Sequence, residues 1–347
     1  MAQNRDPLLT VAWKNGSVVF IDQTKLPNKL VYVSCKNYEE VADVIRKLVV
    51  RGAPAIGVSA AFGLALAAQQ SNAKTLPQLM TDLDNAFKLL QATRPTAVNL
   101  LWALERVMGM GMRAKTVQEA KRVVLNEALK MAEEDIETNR KIGAHGLKLL
   151  KDGDIVLTHC NAGSLATVAY GTALGVIRAA KESGKRLSVI ATETRPVMQG
   201  SRLTAFELLH DGIDVSLITD TAVGHMMAMG AINHVIVGAD RVLHTGHVFN
   251  KIGTYQVAIL ANKHNVPFYV AAPLSTFDFE SNPDDVIIED RSVDEVVRIG
   301  KKRIAPKGVR VFNPAFDMTP PDLITGIITQ KGVLKPPFEK NLKALLG

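Results

Sequence analysis

The second half of the chain carries five short aliphatic runs, DIVLTHC (154–160), LSVIATET (187–194), VSLITD (215–220), HVIVGAD (234–240) and PFYVAAP (267–273), spaced by segments of helical texture. Ile, Val and Leu follow one another in these runs without polar alternation, as in strands buried on both faces. Parallel strands need long crossover connections, so strand and helix in alternation predict a parallel sheet covered by helices.

The first half reads differently. VAWKNGSVVFI places an Asn15-Gly16 turn between two β-rich stretches, a hairpin signal. From Tyr38 to Leu150 the apolar residues of VADVIRKLVV, LMTDLDNAFKLL, VNLLWALERVM and AKRVVLNEALKMAEEDI recur at three and four, the helical period. Two loops interrupt this pattern, Arg51-Gly52-Ala53-Pro54 and Thr93-Arg94-Pro95-Thr96. The change of texture after Lys151-Asp152-Gly153-Asp154 divides the 347 residues into a hairpin-plus-helical domain over 1–150 and a Rossmann-like α/β domain over 151–347.

Composition narrows the function classes. An apolar share of 47% with 22% charged residues is that of a globular protein, and no run of eighteen apolar residues suggests a membrane span. The N-terminal MAQNRDPLLTVAWK lacks the features of a secretory signal, so a cytoplasmic protein is expected. Only Cys35 and Cys160 are present, too few and too far apart for a disulfide framework or a four-ligand zinc site. The net charge of +7 suits an acidic small molecule; the cations are scattered and aromatics make up only 5%, which argues against nucleic acid.

Ligands of open parallel sheets bind beyond the carboxyl ends of the strands. The groups found there are His159-Cys160-Asn161, Glu193-Thr194-Arg195, Thr219-Asp220 and Asp240-Arg241. A lone cysteine is often only a small buried hydrophobe. Cys160, however, precedes Asn-Ala-Gly-Ser and an expected helix, whose N-terminus would favour a thiolate or an anion. Asp240 has the ordinary readings of helix cap or ion-pair partner of Arg241. Following so apolar a run it would also be partly desolvated, with its pKa pushed toward the range of a general acid.

Neither G-x-G-x-x-G after a strand nor the P-loop spacing occurs, which disfavours dinucleotides and nucleoside triphosphates, and no cofactor is expected. Candidate phosphate contacts are Arg51 with the amides of Gly52 and Ala53, Arg94, Gln199, and Asn250-Lys251, read as opening the helix KIGTYQVAILA. No pair of His at i, i+4 accompanies an acid, and His225, His234 and His264 read as ordinary helix or loop residues, so no metal site is expected.

The stretches RGAPAIG (51–57), THCNAGSLATVAYGTALG (158–175), ETRPVMQGSRLTAFEL (193–208), ITDTAVGHMM (218–227), VIVGADRV (235–242), NKIGTYQVAILA (250–261) and FYVAAPLSTFD (268–278) closely resemble the 5-methylthioribose-1-phosphate isomerase family. The resemblance runs from about Trp13 to Thr329. It implies a helical domain joined to a Rossmann-like one, an aldose–ketose isomerisation in methionine salvage, a phosphorylated sugar as partner, and a homodimer. It also implies Cys160 and Asp240 as catalytic residues and Arg51, Gly52, Ala53, Arg94, Gln199, Asn250 and Lys251 as substrate contacts. Related branches isomerise ribose 1,5-bisphosphate or are non-catalytic regulatory subunits. The latter generally lack the Cys and Asp pair, which favours an enzyme here. One departure concerns Thr245-Gly246-His247, where the family often has Asn-Gly-Asp.

Overall fold

A computed structural model describes residues 7–95 and 97–346. Thr96 of the second Arg-bearing loop, and the first six residues of the N-terminal segment, lie outside the described residues. The described residues divide into two compact units, one comprising residues 7–95, 97–141 and 162–175, the other 142–161 and 176–346.

The first unit begins with strands β1 (Val11–Lys14), β2 (Ser17–Ile21) and β3 (Tyr32–Cys35) in an antiparallel sheet, one strand more than the expected hairpin. Asn15 and Gly16, at φ 49° and 75°, make the turn that pairs Lys14 with Ser17. Helices α1 (Tyr38–Arg46), α2 (Ala53–Gln70), α3 (Leu76–Gln91), α4 (Val98–Met112) and α5 (Val117–Gly146, which ends in the second unit) follow. Asn37 caps α1 by accepting the N–H of Glu40. α2 has no polar face: every residue from Ala55 to Ala68 is buried, and α1, α3 and α4 pack around it. Asp135 of α5 is half-buried and accepts the N–H of Val168 at 2.7 Å.

The second unit holds β4 (Ile155–Thr158), α6 (Ala173–Glu182, which begins in the first unit), β5 (Ser188–Thr192), α7 (Ala205–His210), β6 (Asp214–Ile218), α8 (Val223–Ala228), β7 (His234–Val237), β8 (Arg241–Leu243), β9 (Val248–Lys251), α9 (Thr254–Lys263) and β10 (Phe268–Ala271). It ends with β11 (Phe277–Asp278), α10 (Val293–Val297), β12 (Arg298–Ile299), β13 (Lys302–Arg303), β14 (Phe316–Thr319), β15 (Gly326–Thr329), β16 (Gly332–Leu334) and α11 (Phe338–Leu346). The seven-stranded sheet runs β16-β15-β10-β7-β4-β5-β6, and every pairing except β15 with β16 is parallel. The chain therefore has the mixed α/β architecture, with a Rossmann-like parallel sheet, that its apolar runs predict. β6 is the exception to burial on both faces: it is the edge strand, and Leu217 is half exposed.

A second sheet, β11-β8-β9-β14, replaces the loop expected after Asp240. Phe249 pairs with Arg241 on one side and Met318 on the other, so residues 241–251 form a hairpin held by β14. Among the described residues no helix is long and apolar enough to cross a membrane.

Candidate active site

The order of the main sheet locates the site. From β4 the chain moves outward through β5 to β6, then returns to β7 on the other side of β4 and continues to β10 and β15. The reversal lies between β4 and β7, and such switch points open the crevice in which parallel sheets bind ligands. Cys160 lies just past the end of β4 and Asp240 just past the end of β7, the two strands that flank that switch point.

Cys160 is half-buried and adopts φ 62°, a left-handed conformation that costs a non-glycine residue free energy and is sustained only where neighbours impose it. Two hydroxyls fix its backbone: Thr194 Oγ1 accepts its N–H at 2.9 Å, and Thr204 Oγ1 donates to its carbonyl at 2.6 Å. Thr194 and Met198 are left-handed as well, at 61° and 63°. The carboxylate of Asp220 accepts the N–H groups of Thr194 and Arg195 at 2.8 and 2.7 Å, anchoring that loop. The helix expected directly after Cys160 begins only at Ala173, and a 3-10 turn over Ser164–Ala166 comes first.

Behind Cys160, Asn161 Nδ2 donates to Glu207 at 2.9 Å and Thr204 at 3.2 Å. Glu207 is fully buried and takes the Arg178 guanidinium at 2.7 Å. The turn Gly200–Thr204 is π-helical, a form frequent at functional sites. Gln199, immediately before it, is buried with Oε1 lacking any hydrogen-bond partner, a state that suits an acceptor awaiting a ligand. Gly200 lets the turn rest on β5, because a Cβ there would fall 1.7 Å from the carbonyl oxygen of Thr192.

Asp240 is half-buried and its N–H donates to the carbonyl of Phe249 at 3.0 Å. It caps no helix, since β8 follows at once, and Arg241 pairs with Asp278 at 3.0 Å. Asn250 and Lys251 lie on β9 and not at the start of a helix, which corrects the sequence expectation. The reason is Asp317 on β14: the strand pairing sets it opposite Asn250, and its carboxylate accepts the Gly253 and Tyr255 amides at the start of α9. Lys251 is buried, donating to the Ala315 carbonyl at 2.8 Å with its ammonium 4.8 Å above the Phe316 ring. Asn250 Nδ2 donates to Thr254 at 3.0 Å. In the altered loop, Thr245 Oγ1 lies 2.8 Å from His247 Nδ1.

The sheet unit thus carries Cys160, Gln199, Asp240, Asn250 and Lys251, while Arg51, Gly52, Ala53 and Arg94 belong to the helical unit. Gly52, at φ 95°, precedes α2, and a Cβ there would lie 2.4 Å from Cα of Ala166. The first turn of α2 has no acidic residue and no side-chain cap, leaving its amides suited to an anion. Arg51 and Arg94 are half-buried. His234 sits on β7, 3.0 Å from Asp154, and not in a helix or loop. Among the described residues no group of three or more His, Cys, Asp or Glu side chains is placed to hold a metal.

Thr192, Thr204, Glu207 and Asp317 support this site without having stood out in the sequence, beside Thr194, which did as a strand-end group. Threonine at a strand end is ordinary, and Asp317 is 64 residues from the amide it accepts.

The model of the Initiation factor 2 subunit family matches residues 49–336. A methylthioribose-1-phosphate isomerase of Thermosipho melanesiensis is 55% identical over 338 residues, covering 97% of this chain and 98% of that protein. The one from Fervidobacterium nodosum is 54% identical over 340 residues, 97% of each. The crystal structure of 5-methylthioribose 1-phosphate isomerase from Pyrococcus horikoshii matches with a TM-score of 0.92 at 46% identity, over 98% of this chain and 96% of that one. An Archaeoglobus fulgidus structure described as translation initiation factor eIF-2B, subunit delta, matches at 0.88 and 53% identity, over 98% and 99%. By these matches the chain belongs to the Initiation factor 2 subunit family, among relatives that are named methylthioribose-1-phosphate isomerases.

Proposed function

We propose that this protein converts 5-methylthioribose 1-phosphate to 5-methylthioribulose 1-phosphate, a step of methionine salvage. The observation that carries the proposal is that Cys160 and Asp240 follow the carboxyl ends of the adjacent parallel strands β4 and β7, which flank the switch point of the sheet. The relatives named for this activity match over nearly their whole length, which supports the choice of substrate.

Phosphate on the anomeric oxygen prevents spontaneous ring opening, so the enzyme must open the furanose. In this reading Asp240 gives its proton to the ring oxygen as the C1–O bond breaks and the bonding pair passes to oxygen. The hydrogen on C2 then reaches C1, the 2-hydroxyl gives its proton to the Asp240 carboxylate left by ring opening, and C2 becomes the ketone. Cys160 either takes the C2 hydrogen as a proton and returns it at C1, or stabilises the charge that develops while it moves directly. Arg51, the Gly52 and Ala53 amides, Arg94, Gln199, Asn250 and Lys251 hold the substrate, with the cations serving the phosphate.

The test is incubation of the purified protein with methylthioribose 1-phosphate and, separately, ribose 1,5-bisphosphate. Ketose from the first substrate is the expected result. Ketose only from the second would replace the substrate assignment, and ketose from neither would leave a ligand-binding regulatory protein. Substrate deuterated at C2 separates the two routes: direct transfer retains the label at C1, and an exchanging base loses part of it to water.

A further inference from the structure

Four groups behind Cys160 form an unbroken hydrogen-bonded line. His159 Nε2 lies 2.9 Å from the carbonyl oxygen of Ile252, and its Nδ1 lies 2.7 Å from Thr192 Oγ1. Thr192 Oγ1 is 3.1 Å from Thr194 Oγ1, which accepts the N–H of Cys160 at 2.9 Å.

The chemistry of the ends sets the direction of the whole line. A carbonyl has no proton to give, so Nε2 carries the ring hydrogen, and a neutral ring then offers Nδ1 as an acceptor. The Thr192 hydroxyl must donate to it. Thr192 keeps its lone pairs for the Thr194 hydroxyl, whose Oγ1 also lies 3.3 Å from the Thr192 carbonyl oxygen, and Thr194 keeps its own for the Cys160 amide. Burial pushes the His159 imidazole below its ordinary pKa, consistent with the neutral ring. His159, Thr192 and Thr194 are all buried, so no water competes for these bonds. Gly253, at φ 101°, lets the chain lie against the ring, since a Cβ there would stand 3.0 Å from Cε1 of His159.

The line joins the segment after Lys251 to the end of β5 and then to the one residue of the pair that is left-handed. We propose that His159 is a positioning residue: through Thr192 and Thr194 it holds Cys160 in the left-handed conformation that directs its thiol, without touching substrate. The inference rests on the reading of Cys160 given above.

The test uses the full chain with Thr192→Val, which keeps shape and removes the hydroxyl, Thr192→Ser, which keeps the hydroxyl, and His159→Asn. Two readouts are taken: kcat and KM for methylthioribose 1-phosphate, and the rate of Cys160 alkylation by iodoacetamide as a function of pH, located by mass spectrometry. Cys35 is a silent internal control, being buried with its thiol pushed up to about 11.

Loss of a positioning contact should lower kcat about 10- to 100-fold in Thr192→Val and His159→Asn, with KM changed by less than about threefold. The alkylation profile should shift in the same two variants, and Thr192→Ser should match wild type in both readouts. Unchanged kcat and alkylation in these two variants overturns the proposal. So does a fall in melting temperature alone, a rise in KM alone, or a fall in kcat with alkylation unmoved. Should Thr192→Val fail to fold, His159→Asn against Thr192→Ser decides by the same criteria. If the wild type does not turn over the sugar phosphate, the functional reading falls, and the alkylation comparison still decides whether the line holds Cys160.

Discussion

The carboxylate of Asp317 accepts the amide of Gly253 at 2.6 Å and so takes the N-terminus of α9 for itself. An intramolecular anion therefore stands where an anionic ligand of that helix would stand, and Lys251, two residues earlier, acts from the neighbouring strand. Burial is the largest influence on Asp317 and raises its carboxyl to about 6, against the lowering effects of the two amides and Lys251.

A pH dependence follows. A carboxyl whose folded pKa lies above its unfolded value of 3.8 favours the fold most when protonated, and that contribution disappears as pH rises through about 6. Asp317→Asn does not titrate, so wild type should lose on the order of 2 to 3 kcal/mol relative to the variant between roughly pH 4 and 6. Urea unfolding of both proteins across that window measures the difference, and parallel curves would show that Asp317 titrates normally.

Cys160→Ser and Asp240→Asn should each cut turnover of methylthioribose 1-phosphate by about 100-fold or more, with melting temperatures near wild type. Either variant retaining near-normal turnover removes that residue from the mechanism.

Lys251→Met keeps the buried stem and removes the ammonium. If Lys251 holds the phosphate, KM should rise about 10- to 100-fold, the loss expected for a charge-assisted hydrogen bond, while kcat falls less. Equal KM values for mutant and wild type would assign Lys251 to the Ala315 and Phe316 contacts alone.

Gly200→Ala drives a methyl group into the Thr192 carbonyl, 1.7 Å away, at the base of the turn that presents Gln199. Backbone must move to admit it, at a cost of about 3 kcal/mol or more. A thermal shift assay should show the loss, and unchanged stability would mean that the π-helical turn relaxes freely.

How far the sequence could be read depended on whether a signal was local. The strand ends were legible because the first four aliphatic runs each stop at polar groups, and Cys160 and Asp240 stand out as candidates for that reason. α2 was not, because a helix buried on every side from Ala55 to Ala68 has no polar face to generate a period. Asn250 and Lys251 were assigned to a helix because Asn-Lys-Ile-Gly before apolar residues resembles a helix start. The strand β14 that claims them lies more than sixty residues on, and nothing near them announces it. The helix expected beside Cys160 failed for a related reason: the left-handed turn there is imposed by Thr194 and Thr204, on other elements.

Residues 162–175 return to the helical unit after the first strand of the large sheet is complete. Thr10 donates to Ser164 at 2.6 Å, Gln23 to Leu165 at 2.7 Å, and Val168 to Asp135. A gene cut at the change of texture near codon 150 would yield every helix from α1 to α5 and none of these partners, stranding buried polar groups on Thr10 and Gln23 and taking the Val168 amide from Asp135. Chimeras between relatives must therefore carry this strap with the N-terminal half, and the shortest swap that respects the molecule takes two separate pieces of chain.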